Sequence, residues 1–289
     1  MSYVNDGYAY GAGEYRDGKL RKIEGVPVSE VDSIHPPMSA VGFGLTLVFR
    51  LIIAGMAGWS AFAMIQNAYN RTGTWEGAFD QAIFFTTFSV VIVSLAYGLG
   101  VLRVILPGSL RRKTEGSYGW FRGLGVLMST MTGIIFALLL DGTYPDVRGL
   151  FAHLLVPILV ALDWILVGKN QEKLHPAVPF LWVGLILPYL GVYWWDAVRE
   201  GGGGPMYPFL DPNKDNFAMV IGGLLVGFLV AGYVLWLIGR LKAAVTGTKR
   251  VIPFHEATRM APPPQQVQGN YPSAYGNQTP PDVHSYQGQ

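Results

Sequence analysis

Apolar residues in this chain gather into six long runs, separated by short polar stretches and flanked by two polar ends. A hydrocarbon core about 30 Å thick requires roughly 20 residues of helix. The runs Val41–Gln66, Gln81–Leu106, Trp120–Leu140, Gly149–Gly168, Pro176–Trp195 and Phe217–Ile238 meet that requirement. The pattern therefore predicts an all-α, polytopic membrane protein: a six-transmembrane-helix bundle with disordered termini. Gly55, Gly58, Pro157, Pro188, Gly223 and Gly227 fall inside the runs. They would weaken helices in water, but small residues let membrane helices approach closely, and Pro is tolerated there.

This reading divides the chain into a polar leader (1–39), a membrane domain (40–242) and a Pro/Gln/Tyr-rich tail (243–289). The tail cannot build a core and is expected to be disordered, as is most of the leader, where Val26–Val31 is a short amphipathic piece. The leader has no basic stretch opening into an apolar core, so no cleavable signal is expected, and the first run serves as an uncleaved anchor. No internal repeat is visible, which disfavours an inverted-repeat transporter.

Composition agrees with the pattern. Apolar residues make up 51% of the chain and charged residues 14%, against about a quarter charged in soluble domains. Mean hydropathy is +0.31. A net charge of +2 gives no reason to expect a nucleic-acid partner, and the lack of cysteine excludes disulfide and thiol chemistry. The distribution of basic residues is more informative. With the N-terminus placed inside, fifteen of the 21 Lys and Arg lie on the cytoplasmic side. Only Arg71, Arg148, Arg199 and Lys214 lie outside, and Arg50 and Arg122 fall within helices. The positive-inside rule then predicts a multi-pass protein of a cell membrane with both termini cytoplasmic.

Ionisable residues at membrane depth are costly and need partners. Arg50 lies about 13 Å into the first span, and Asp163 lies in the inner half of the fourth. The two can meet as an intramembrane ion pair that fixes helix packing, with Arg103 as another partner for Asp163. His153 lies roughly 7 Å below the outer end of the fourth span, near the depth of Thr86 and Thr87 in the second. Pro157, four residues on, removes the usual hydrogen-bond donor to the His153 carbonyl, so a kink or cavity is expected beside the imidazole. A hydroxyl and an imidazole at one level can form a nucleophile–base pair. The plainer reading has each threonine bonded back to the carbonyl of Ala82 or Ile83, and the histidine bonded across helices. His153 and Asp163 are about 15 Å apart along their helix, so no metal or other cofactor is implied.

Tyr193, Trp194 and Trp195 mark an aromatic outer rim. The following loop combines the flexible Gly201–Gly204 with Met206-Tyr-Pro-Phe-Leu-Asp211. A Pro-fixed turn carrying Tyr207 and Phe209 is placed to fold back over the bundle mouth as a lid, or simply to lead into a helix cap at Asp215 or Asn216.

Three stretches together carry a family resemblance: Phe85-Thr-Thr-Phe-Ser89, His153-Leu-Leu-Val-Pro-Ile-Leu-Val-Ala-Leu-Asp-Trp164 and Tyr207-Pro-Phe-Leu-Asp211. The chain from about Val41 to Leu241 resembles the prokaryotic six-transmembrane-helix membrane protein family. That family in turn resembles the androgen-induced membrane hydrolases, which cleave fatty-acid esters of hydroxy fatty acids with an intramembrane threonine nucleophile and a histidine base. Val90 departs from the family pattern, which has Asn there. The resemblance implies a lipid-ester hydrolase with Thr86 or Thr87 as nucleophile and His153 as base. Ser89, Pro157, Tyr207 and Phe209 would then surround the substrate, and membrane lipids would be the partners. Together with the absence of a cleaved signal, the prokaryotic resemblance also implies a bacterial plasma membrane. The alternative is a non-catalytic accessory or scaffold subunit that binds an envelope protein through its tails; a carrier with Arg50 and Asp163 on a polar pathway ranks below both.

Overall fold

The computed structural model describes residues 39–106, 119–140, 142–144, 146–167, 171, 174–199 and 204–245, and the backbone alone of 12–16, 19–23 and 252–253. Six helices are long and apolar enough to cross a membrane. They are α1 (Ala40–Thr72), α3 (Phe85–Leu102, continued by a 3-10 turn to Ile105), α4 (Gly119–Leu139), α5 (Val147–Leu166), α6 (Val178–Val198) and α7 (Phe217–Val245). A shorter amphipathic helix, α2 (Trp75–Ile83), joins α1 to α3. The chain is an integral membrane protein by this count and by its exterior. Leu45, Val48, Leu51 and Phe62 of α1 are exposed, as are Met219, Val226, Val230 and Leu241 of α7. Such an apolar surface suits a hydrocarbon solvent.

Helix ends differ from the hydropathy pattern for identifiable reasons. Hydropathy places the end of the first span at Gln66, but α1 continues to Thr72. It stops only where Gly73 takes a left-handed conformation (φ 69°) and its N–H caps the Tyr69 carbonyl. Hydropathy marks where lipid ends, which need not be where helix ends. The second span is one run from Gln81 by pattern but is split in the structure. Ser39 and Thr74 cap α1 and α2 through their hydroxyls, whereas α3 starts from Phe84 in an extended conformation (φ −56°, ψ 133°) with no side-chain cap. Thr86 thus falls in the first turn of its helix, higher than the depth expected from a start at Gln81.

In the leader, Ala12–Arg16 (β1) and Lys19–Ile23 (β2) pair antiparallel, with Arg16 opposite Lys19, and Ile252–Pro253 (β3) pairs with β1. Composition alone gives no sign of these strands. The local signal is Asp17-Gly18, a dipeptide favoured in two-residue hairpin loops. Val26–Val31, Gly201–Gly203, Gly168 at the end of the fourth run, the tail beyond Pro253 and several of the basic residues used for orientation (Arg111, Arg112, Lys113, Lys169, Lys173, Lys249, Arg250, Arg259) lie outside the described residues.

α4 is the most enclosed of the six and packs against α3, α5 and α7. Its small residues allow this. A Cβ on Gly123 would lie 2.3 Å from Cζ2 of Trp182 and 3.0 Å from Cη2 of Trp164. Both indoles are fully buried and tethered, Trp164 Nε1 to the Leu235 carbonyl (3.0 Å) and Trp182 Nε1 to the Trp120 carbonyl (2.7 Å). Neither ring can move aside. Gly123→Ala is therefore expected to destabilise the bundle by about 1–3 kcal/mol, read as a lower unfolding midpoint in detergent; an unchanged midpoint would contradict this packing.

A buried ionic cluster joins four helices through one carboxylate. Arg50 Nε of α1 donates to Asp163 Oδ1 of α5 at 3.0 Å, and Tyr97 Oη of α3 donates to Oδ2 at 3.0 Å. Arg122 of α4 also pairs with Oδ2. Arg122 reaches on to Gln171 Oε1 (2.7 Å) and stands over the Trp164 ring. Asp163 is fully buried and both arginines are nearly so. The sequence pairs Asp163 with one arginine, Arg50 or Arg103; in the structure two arginines, Arg50 and Arg122, share it.

Candidate functional site

Near the opposite end of the bundle, Thr86 and His153 are brought together across α3 and α5. Thr86 Oγ1 lies 3.1 Å from His153 Nε2, and His153 Nδ1 lies 3.0 Å from the Gly149 carbonyl oxygen. A carbonyl only accepts, so Nδ1 carries the proton and Nε2 presents its lone pair to the threonine hydroxyl. This is the tautomer a general base requires. The imidazole is also fixed on its face, stacked on Phe136 with centroids 3.9 Å apart.

Local sequence explains both halves of the pair. Pro157 has no N–H for the His153 carbonyl, and α5 widens into a π turn over Phe151–Leu155, with Val156 N–H bonded to the Phe151 carbonyl. Such turns re-aim side chains within a helix. On the other side, the break at Phe84 interrupts the helix before Thr86. The back-bond expected for this hydroxyl, to Ala82, would have to cross that break; Thr86 bonds the imidazole instead.

The structure separates the two threonines. Thr87 is fully buried and faces elsewhere, accepting from Gln81 Nε2 (3.0 Å) and lying 3.9 Å from Met64 Sδ. Ser89 does not line the cavity described below. It donates to the Thr86 carbonyl (2.8 Å) and lies 2.9 Å from Thr132 Oγ1, so it braces the first turn of α3 from behind. Pro157 also stands behind the pair, against α4. A Cβ on Gly133 would lie 3.0 Å from the His153 carbonyl oxygen and 3.3 Å from Pro157. Gly133→Val is thus expected to displace the π turn and lengthen the Thr86–His153 contact. The readout is a shift in the imidazole NMR signals of His153 in a protein that still unfolds cooperatively; unmoved signals would show that α5 absorbs the extra volume.

Thr86 opens onto an apolar cavity of about 580 Å³, mouth included, whose walls include Phe85, Phe136, Ile186, Leu190, Leu224 and Phe228. The Tyr207–Leu210 turn closes one side, and both Tyr207 and Phe209 line the space. Of the two readings of this turn, a lid or a plain lead into the next helix, the structure shows only that its side chains form part of the cavity wall. Tyr193 Oη donates to the Leu210 carbonyl (2.9 Å) and holds it down. The Tyr207 ring contacts those of Phe84, Tyr193 and Phe209. Its hydroxyl accepts from the Phe85 N–H (2.9 Å) at the start of α3, and burial pushes it up to about 12, so it keeps its proton at neutral pH. Tyr189 adds a buried hydroxyl to the same wall as Tyr207.

Outside the spans, polar groups secure the same end. Arg199, at the end of α6, binds Asp196 (Nε to Oδ1, 2.8 Å) and reaches Asp80 (3.4 Å) and Glu76 (3.6 Å) on α2. Asp146 caps α5, accepting from the Gly149 N–H (2.8 Å). Arg148 and that N–H hold its carboxyl below the usual carboxylate range.

The residues that sequence reasoning missed are Arg122, Tyr97, Gln171, Gly149 and Phe136. Arg122 carried a usable signal, being an arginine inside an apolar run; the others are ordinary in sequence. Among the described residues, no group of three or more His, Cys, Asp or Glu is placed to hold a metal ion. No family model, curated protein or solved structure matches this chain.

Proposed function

We propose that the protein is a membrane-embedded lipid-ester hydrolase with Thr86 as nucleophile and His153 as general base. The observation that carries this reading is the Thr86 Oγ1–His153 Nε2 contact of 3.1 Å with the opposite ring nitrogen fixed by the Gly149 carbonyl. Threonine needs such a base, because its hydroxyl is a weak nucleophile when unassisted. The apolar cavity suits an acyl chain, and the dyad stands at its wall. In the reaction, Oγ1 attacks the acyl carbonyl carbon as its proton passes to Nε2. The imidazolium then protonates the departing alkoxide, and water, deprotonated by the same ring, releases the acid from the acyl-threonine. The excess of basic residues at the other end of the bundle supports a dyad in the outer half of the membrane, with both chain ends cytoplasmic.

Purified protein in detergent should react with a long-chain fluorophosphonate, and mass spectrometry of the digest should place the adduct on Thr86. No adduct on folded protein, together with no hydrolysis of a long-chain nitrophenyl ester, would overturn the hydrolase reading in favour of a non-catalytic accessory subunit.

A further inference from the structure

We propose that Tyr207 is a catalytic residue of this site, its hydroxyl serving as the hydrogen-bond donor to the oxyanion; the inference rests on the hydrolase reading above. A threonine nucleophile and a base leave the reaction incomplete. When Oγ1 adds to the carbonyl carbon, the π electrons of the C=O bond move onto oxygen. That charge needs a fixed donor beside the nucleophile, above all in an apolar cavity.

Tyr207 meets the requirement on four counts. Its side chain lines the cavity beside Thr86. Its oxygen accepts the Phe85 N–H at 2.9 Å, from the residue next to Thr86, which places the phenol beside the nucleophile. With one lone pair held by an amide at the N-terminus of an 18-residue helix, the remaining O–H is oriented away from that amide and polarised as a donor. Finally, the ring is clamped by Phe84, Tyr193 and Phe209, and the turn carrying it is tied by the Tyr193–Leu210 bond, so donation requires no reorganisation. Tyr207 keeps its proton throughout: it donates a hydrogen bond to the alkoxide, while the transferred proton travels from Thr86 through His153 to the leaving oxygen. The break at Phe84 also gains a purpose, since it frees the Phe85 amide to orient the phenol.

The test uses the full-length protein in detergent with a long-chain nitrophenyl ester and a long-chain trifluoromethyl ketone, whose tetrahedral adduct carries the oxyanion. Tyr207→Phe should lower kcat on the order of 100-fold or more with KM nearly unchanged, and should weaken the ketone by a similar factor while leaving binding of an ether analogue intact. Thr87→Ala, whose hydroxyl is buried against Gln81 and away from the cavity, should retain turnover. If Tyr207→Phe fails to fold, 4-aminophenylalanine at 207 keeps a donor and should support turnover, whereas 4-methoxyphenylalanine keeps only the acceptor and should not. Wild-type kcat and ketone affinity in Tyr207→Phe, or equal turnover from the two analogues, with Thr86→Ala inactive, would overturn the role of Tyr207 alone. A wild type that neither turns over nor labels would overturn the hydrolase reading and this role with it.

Discussion

Thr86→Ala is expected to abolish fluorophosphonate labelling and to lower ester turnover on the order of 10³-fold or more, while Thr87→Ala keeps both close to wild type. The two positions are adjacent and chemically identical, so the contrast tests geometry alone. Thr86 Oγ1 meets an imidazole lone pair and faces the cavity, whereas Thr87 Oγ1 accepts from Gln81 and is fully buried. His153→Ala should match Thr86→Ala in turnover, because residues acting as one unit lose function together rather than additively. Measured rates for the two single variants and the double variant decide the matter. Multiplicative losses would mean that the hydroxyl and the ring act independently, and the dyad would be wrong.

Asp163→Asn is expected to be the most destabilising single change in the bundle, by about 3–5 kcal/mol. The carboxylate is fully buried and accepts from Arg50, Arg122 and Tyr97. Its loss leaves two buried guanidinium groups without the carboxylate they share, where low dielectric strengthens their repulsion. Adding Arg50→Gln should recover part of the loss, and adding Arg122→Gln as well should recover more, since each step removes one of the opposed cations. Unfolding midpoints in detergent across the series check this. Strictly additive losses would show that the three residues are not coupled.

Much of the fold was legible because the bilayer imposes a length rule that six apolar runs satisfy. The breaks and extensions were less so. Gln81-Ala-Ile-Phe reads as continuous helix, whereas in the structure the Gln81 carbonyl takes the Phe84 amide and the Phe85 amide goes to Tyr207, more than a hundred residues away. The Thr86–His153 pair was partly legible. Depth placed Thr86 or Thr87 near His153, and Pro157 marked the distortion beside the ring. Choosing between the threonines required the side-chain direction set by the Phe84 break. The tautomer required Gly149, a glycine with no chemical signature of its own. The ionic cluster shows the same limit. Arg50, Arg122 and Asp163 all stand out as charges in apolar runs, but only the packing of α4 sets Arg122 against the same carboxylate as Arg50.

The break at Phe84 has a consequence for where the proposed reaction takes place. Ester hydrolysis joins two reactants that dissolve in different phases, an acyl chain and water. Thr86 lies one turn inside a membrane span, directly after a helix whose Trp75 and Phe79 are exposed while Glu76 and Asp80 engage Arg199. A nucleophile at this joint faces the apolar cavity and follows, across the break, a helix whose acidic residues pair with Arg199. In the proposed hydrolase, the break at Phe84 would set the reacting bond near the phase boundary, where neither reactant has to cross into the other's solvent.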